Sequence, residues 1–383
     1  IERLLDALGN PHRGGRYIHV AGTNGKGSTC AMIEAGLRAA GVRTGLYTSP
    51  HLLEPTERIR IGGEPVSADQ FLAAFDQVHA AAGRVLEEHP TYFETVTAMA
   101  FVLFRELAVE TAVLEVGLGG RLDATNVVEP ELAVITPVDF DHEAYLGRSL
   151  ERIAAEKAGI LKAGAAAVVT AQRPEAEAAI ESRAAELGIA PVRPAAASGV
   201  VLHRRGSRFH LGGLRLDCPL AGEHQVENAC TAATALRELG VKGAAIEAGI
   251  RGVRWPGRLD CVSGDPEIIL DGAHNPAGAR ALASYIRRFY GDRNVTLIYG
   301  AMRDKSVEEI SGILFPLAAE VIVTAPRQER AVRPETIAAM TTHPRLRIAP
   351  GVAEALERPP PAPPVFVTGS LFVVAEALAV LVK

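Results

Sequence analysis

An apolar strand that runs into a glycine-rich turn and then a helix leaves a chain few folds to choose from. Residues 18–41, IHVAGTNGKGSTCAMIEAGLRAAG, have that form. The strand ends at Ala21, Gly22, Gly25 and Gly27 surround Lys26, and the helix is expected to begin near Ser28–Thr29. Glycines let backbone N–H groups turn inward around an anion, and a helix N-terminus adds free donors and partial positive charge. The run Asn24, Gly25, Lys26, Gly27 and Ser28 is therefore read as a phosphate-binding turn, with Lys26 placed to reach the outer phosphates of a nucleotide. The spacing is not G-x-x-x-x-G-K-[ST], because residue 20 is Val and Gly27 stands between Lys26 and Ser28. The plainer alternative is a strand-to-helix turn with a solvated lysine.

Around this loop, strand-like runs alternate with helical patterns, the signature of a parallel sheet covered by helices. Strands are expected at Tyr17–Ala21, Ala112–Val116, Leu132–Thr136 and Ala166–Thr170. Helices are expected at Ser28–Ala40, Ala68–Glu87, Thr95–Leu107, Leu150–Ala158 and Glu175–Leu187. Alternation over 192–217, with Gly206 and Gly212–Gly213 as turns, suggests a small antiparallel addition, followed by a helix near His224–Leu239. Trp255-Pro256-Gly257 reads as a linker and hinge. After it the pattern restarts, with strands near Ile268–Leu270, Val295–Ile298, Val321–Thr324 and Val365–Thr368. The Pro-rich run Arg358–Pro364 reads as a loop. With 383 residues there is length for two domains. The fold class expected is α/β: a phosphate-loop-type, mostly parallel sheet domain over 1–254, then a smaller Rossmann-like α/β domain over 255–383.

Composition narrows the partners. There are 45 acidic against 40 basic residues, a net charge of −5, which argues against nucleic acid and anionic membranes as partners. Cys30, Cys218, Cys230 and Cys261 form no C-x-x-C pair, so a reducing cytoplasm is the expected compartment. The apolar stretch Val365–Val382 is broken by Thr368, Gly369, Ser370 and Glu376 and reads as strand, turn and helix rather than a membrane span.

A second glycine cluster, LEVGLGGRLDATN (114–126), does not match G-x-G-x-x-G and does not open a helix, which argues against a dinucleotide site. Glu115 ends its strand. A buried carboxylate is costly unless it meets a cation, and behind a phosphate loop that cation is Mg²⁺; a structural salt bridge is the alternative. His142 follows two aspartates, Asp139 and Asp141, either of which would orient it as a metal ligand, although a loop histidine is ordinarily a surface residue. Lys157 beside Glu156 reads from the residues alone as a solvated helical pair. Asp271 ends a strand, and Asn275-Pro276 has the form of a helix cap with proline at the first helical position.

Taken together, HVAGTNGKGST, YTSPHL (47–52), ERI (57–59), FETVTAMAF (93–101), LEVGLGGRLDATN, DHEAYLG (141–147), AAEKAGILK (154–162), GEHQVENA (222–229), WPGRLD (255–260), DGAHNP (271–276) and VTGSLF (367–372) resemble the folylpolyglutamate synthase/dihydrofolate synthase family within the Mur ligases. The motifs fall in order and span most of the chain. The resemblance implies ATP phosphates on the Asn24–Ser28 loop, nucleotide contacts at Asn228, Arg258 and Asp271, and one or two magnesium ions on Ser49, Glu115 and His142. It implies a carbamate on Lys157, a pterin side at Phe93, Glu94, Thr95, Leu122, Asp123 and Ala124, and a glutamate end near His274 and Ser370. The family often has Asn before ERI, where this chain has Thr56. It also has a longer leading segment than the 18 residues before His19.

The function implied is ATP-dependent ligation of L-glutamate to dihydropteroate or a folate, in a cytoplasmic monomer whose 1–254 part holds ATP and folate and whose 255–383 part serves the glutamate. The competing readings are a muramyl-peptide ligase and a nucleotide-binding switch protein without ligase activity.

Overall fold

The computed structural model describes residues 1–357 and 364–382. All but Pro364 of the Pro-rich run lies outside them. The first sheet has seven strands: β1 (Arg16–Ala21), β2 (Thr44–Tyr47), β3 (Ile59–Ile61), β4 (Glu64–Pro65), β5 (Thr111–Glu115), β6 (Leu132–Ile135) and β7 (Ala166–Val169). Their order is β4-β3-β2-β5-β1-β6-β7, parallel except for β3, which runs against both of its neighbours. Side chains alternate across the sheet, which sorts them between two cores. Ile18 and Val20 face helices Lys26–Ala39, Glu223–Glu238 and Gly243–Gly252, while Tyr17 and Ala21 face the opposite side.

Strands β2 to β4 were not expected from the sequence. They are short, and their polar turns mask the apolar alternation. The first long helix begins at Lys26, two residues before the expected start, and the next but one begins at Tyr92 because Thr91 and Glu94 form a capping box ahead of it. Strands β8 (Ser198–His203), β9 (Gly206–Leu211) and β10 (Leu214–Cys218) make the expected antiparallel addition.

The second sheet comprises β11 (Asp260–Gly264), β12 (Glu267–Leu270), β13 (Thr296–Tyr299), β14 (Glu320–Val323), β15 (Leu346–Ile348) and β16 (Val365–Thr368). Its order is β11-β12-β16-β13-β14-β15, with only β11 antiparallel. Among the described residues no helix is long and apolar enough to cross a membrane.

Topology places the crevices. β1 lies between β5 and β6, and the chain leaves it toward β2 on one side while β6 lies on the other. The loops therefore diverge above its carboxyl end, where ligands bind in open α/β sheets. In the second sheet β16, last in sequence, is inserted between β12 and β13, which creates a second such point.

The first core depends on one backbone approach. A Cβ on Gly249 would lie 2.4 Å from the backbone nitrogen of Gly36 on the facing helix. Gly249→Ala should destabilise the fold by about 1–3 kcal/mol through overpacking; an unchanged urea midpoint would show that the helices have room to spare.

Candidate active site

The phosphate loop is built from glycines that cannot be replaced. Gly25, at the helix N-cap, has φ +85°, and a Cβ there would sit 2.3 Å from Asn228 Oδ1. Gly22 has φ +151°, and its Cβ would sit 1.8 Å from Thr136 Oγ1 at the end of β6. Asn228 thus lies against the loop and is held by its own Nδ2 donating to Gln225 Oε1 at 3.0 Å. Gln225 in turn donates to Ser28 Oγ at 3.3 Å. The Trp255 ring packs 3.1 Å from where a Gly27 Cβ would be, with Arg60 over its other part, so the expected linker starts from an anchored residue.

Two ammonium groups converge on one carbonyl. Lys26 Nζ donates to Gly22 O at 3.1 Å and Thr23 O at 3.2 Å, and Lys157 Nζ donates to the same Gly22 O at 2.9 Å. Lys157 is 5% exposed, which corrects the reading of a solvated pair; Glu156 pairs instead with Arg121 at 2.8 Å. Burial, followed by the charge of Lys26, pulls the Lys157 amine down to about 7 against the opposing pull of Asp141 and Asp123. Helical spacing cannot show this, because the burying surface comes from the distant loop after β1.

Glu115 is buried at the end of β5 and accepts the Ser49 N–H at 3.1 Å. Burial raises its pKa, tempered by Lys26, the Ser49 N–H, Arg258 and Arg58. Arg258, from the start of the second unit, therefore feels Glu115 as well as Asp271. His142 lies beside Asp141 and Asp304. Its Nε2 lies 3.9 Å from Asp141 and its Nδ1 3.9 Å from Asp304, both too far for hydrogen bonds. Burial first, with Lys305 and His274, lowers it to about 4 despite Asp141 and Asp304, so it is a neutral imidazole at pH 7. Neither Asp139 nor Asp141 orients its ring. Among the described residues no three His, Cys, Asp or Glu side chains converge as a metal cage.

Asp141 instead ties the two sheets together. It accepts Lys305 Nζ at 2.5 Å and Asn275 Nδ2 at 3.2 Å, and His274 Nε2 lies at 3.5 Å. Burial alone would raise this carboxyl; the hydrogen bond and charge of His274, with Lys305 and His142, hold it far below the usual range. Asn275 also donates to Asn24 Oδ1 at 2.9 Å. Neither Lys305 nor this role of Asn275 was foreseen. The Asn-Pro cap was legible, but nothing local marks a bond to a residue so far away in sequence.

Several expected contacts are already occupied by backbone groups. Asp271 accepts the Leu259 and Ala273 N–H groups, each at 3.0 Å, and so fixes the segment that carries Arg258. Asp123 accepts Gly117 and Leu118 N–H at 3.0 and 2.9 Å, and the Thr125 N–H and hydroxyl at 3.0 and 2.6 Å. His19, wholly buried on β1, reaches the same Thr125 hydroxyl at 2.7 Å, another link the sequence did not announce. Glu94 closes its helix by accepting the Thr91 N–H, and Thr95 donates to Thr91 O. Ser370 caps helix Leu371–Leu381 through the Phe372 N–H. Phe93 lies over Gly117 and beside Tyr47, Leu122 is 79% exposed, and Ala124 is buried. Phe93 is half-buried, whereas Leu122, Leu118 and Tyr92 are exposed. In the second sheet a cleft of about 650 Å³ opens between the segments after β13 and β14, lined by Arg303, Lys305, Arg333, Glu308 and Glu309 among others.

Comparison with known proteins places this arrangement. The Mur ligase middle domain matches residues 20–236, and the Mur ligase glutamate ligase domain matches residues 257–363. The probable bifunctional folylpolyglutamate synthase/dihydropteroate synthase of Halobacterium salinarum is 38% identical over 98% of this chain and 48% of its own length. The chain thus spans about half of that relative. The dihydrofolate synthase/folylpolyglutamate synthase of Mycobacterium tuberculosis is 38% identical over 88% of this chain and 76% of the relative. A solved folylpolyglutamate synthase of Mycobacterium tuberculosis, complexed with ADP and AMPPCP, superposes with a TM-score of 0.93 at 32% identity, covering 100% of this chain and 94% of that one. A loop, a lysine pair on one carbonyl and a two-sheet seam of this form, on a chain matched so completely, leave one assignment: the chain belongs to the folylpolyglutamate synthase/dihydrofolate synthase family of Mur ligases.

Proposed function

We propose that this chain is an ATP-dependent carbon–nitrogen ligase that joins L-glutamate to a pteroate or folate carboxylate through an acyl phosphate. One observation carries the reading. The glycine-built loop with Lys26 and Lys157, the buried Glu115, and the Asp271–Asn275 segment of the second sheet all face one crevice. The names of the relatives supply the substrate class, and the ADP and AMPPCP of the solved neighbour support a nucleotide at the loop. Both halves of the crevice come from one chain, which supports action as a monomer.

The loop N–H groups of Asn24–Ser28 and the Lys26 ammonium hold the phosphates, with Asn228 bracing the turn and Arg258 reaching in from the second unit. Asp271 serves the nucleotide indirectly, by fixing the backbone at Leu259, next to Arg258. Magnesium fits the donors present. Glu115 keeps one oxygen without a hydrogen-bond donor among the described residues, and His142 is neutral with both ring nitrogens unbonded. Such ions are held by one or two side chains plus phosphate and water rather than by an all-protein cage. Glu115 and His142, with the Ser49 hydroxyl, would hold the ion, which supplies neutralisation of phosphate charge.

Phe93, Leu122 and Ala124 offer an apolar wall for a flat heterocycle, with Thr95, Glu94 and Asp123 shaping its frame. The cations lining the second-sheet cleft suit the carboxylates of glutamate, and His274 and Ser370 are proposed for the same substrate on the strength of their motifs. In the reaction, a carboxylate oxygen attacks the γ-phosphorus and the bond to ADP breaks. The glutamate amine then attacks the acyl carbon, loses a proton, and the carbon–oxygen bond to phosphate breaks. Two anions must meet in the first step, so catalysis consists largely of positioning and charge cancellation by Lys26 and the loop amides. The docked second sheet keeps water from the acyl phosphate.

Lys157 is suited to carbamate formation, because an amine held near neutrality exists partly unprotonated and attacks carbon dioxide, releasing one proton. [¹³C]bicarbonate NMR should show a carbamate carbon that is absent in Lys157→Met. The same amine makes stability pH-dependent. Its folded value is about 7 against an ordinary 10.5, so between these the unfolded chain binds the extra proton and stability rises with pH. In bicarbonate-free buffer, Lys157→Met should flatten that rise between pH 7 and 10 in urea titrations; an equal slope would mean the amine is not desolvated.

Lys26→Ala should lower kcat by about 100-fold or more, since removal of a charge-stabilising donor costs about that much, with an unchanged circular dichroism spectrum. Glu115→Ala should raise the magnesium concentration needed for half-maximal rate. Phosphate release with glutamate and either dihydropteroate or a reduced folate, measured side by side, tests the function itself. No release with either acceptor would refute it.

A further inference from the structure

Asn275 uses every polar atom of its side chain, the oxygen within its own helix and the amide nitrogen across the seam between the sheets. Its Oδ1 accepts the Gly278 N–H at 2.8 Å and caps helix Pro276–Tyr290. Its Nδ2 donates one hydrogen to Asn24 Oδ1 at 2.9 Å and the other to Asp141 Oδ2 at 3.2 Å. The cap requires an oxygen and Asp141 requires a donor, so the orientation of the amide is fixed by its neighbours. The residue is 2% exposed. Asn24 lies within the phosphate loop, and its own N–H is held by Pro137 O at 3.2 Å. Holding its side-chain carbonyl therefore fixes the outer edge of the turn. The two asparagines are 251 residues apart, so this bond exists only when the second sheet is docked on the first. Lys305, also from the second sheet, secures the other oxygen of Asp141.

We propose that Asn275 is an interdomain positioning residue: it locks the phosphate loop through Asn24 when the second sheet docks, so docking and nucleotide binding strengthen each other. Such coupling is reciprocal, because whatever docking adds to nucleotide affinity, nucleotide adds to docking. The nucleotide half rests on the function proposed above; the docking half rests on the geometry alone.

Asn275→Ser separates the cap from the lock. Serine retains an N-cap oxygen but is too short to reach Asn24 or Asp141. Trp255, the single tryptophan of the chain, lies against Gly27 and reports on the loop by its fluorescence. The variant should melt close to wild type, bind Mg–ATP about tenfold more weakly in a tryptophan titration, as expected for a typical coupling between sites, and raise KM for ATP more than it lowers kcat. Small-angle scattering should show a larger radius of gyration for the free variant, and Mg–ATP should compact it. Wild-type ATP affinity together with a wild-type radius would overturn the proposal. If the wild-type protein takes up no ATP, the nucleotide reading fails, and the scattering comparison by itself decides whether Asn275 holds the sheets together. Should Asn275→Ser fail to fold, Lys305→Met, which leaves the cap untouched, must loosen docking in the same measurement, and an unchanged radius there would equally sink the idea.

Discussion

A carboxylate buried at the junction of two sheets persists only when cations and donors surround it, and Asp141 is that carboxylate here. It extends from the segment after β6, while Lys305, His274 and Asn275 that satisfy it belong to the second sheet. Removing the second sheet would leave a desolvated charge, and removing Asp141 would leave a buried ammonium, so each side makes the other's position costly to abandon. The crevice has its shape because this seam closes it.

Across the crevice the electrostatics run the other way. Lys26 and Lys157 share the Gly22 carbonyl, and their mutual repulsion together with burial is what depresses the Lys157 amine. A site that gathers two lysine amines, one of them buried, on one carbonyl oxygen is short of negative charge. An incoming phosphate chain supplies it, and a carbamate on Lys157 would relieve the repulsion from within. Glu115 and Asp271, both raised by burial, line the same crevice. That is the electrostatic condition expected of a pocket awaiting a highly charged ligand rather than of a settled core.

Much of the polar machinery proved to be scaffold. Asp123, Asp271, Glu94 and Ser370 spend their oxygens on backbone N–H groups, at strand ends and helix starts where such groups are otherwise orphaned. Each thereby fixes a neighbouring segment, such as the one that carries Arg258 or the helix start that carries Phe93. The same holds for His19, whose contact with Thr125 pins the loop after β5 to β1.

The sequence by itself determined the phosphate loop, the alternation of strands and helices, the antiparallel addition and the Asn-Pro cap, because these depend on glycine stereochemistry, side-chain periodicity and capping within a few residues. Tertiary structure decided the burial of Lys157, the placing of His142 beside Asp304, the anchoring of Trp255 on Gly27, and the bond from Asn275 to Asn24. Those outcomes turn on which surfaces meet when two sheets dock, and desolvation and hydrogen bonding between residues more than a hundred positions apart leave no local pattern in the chain.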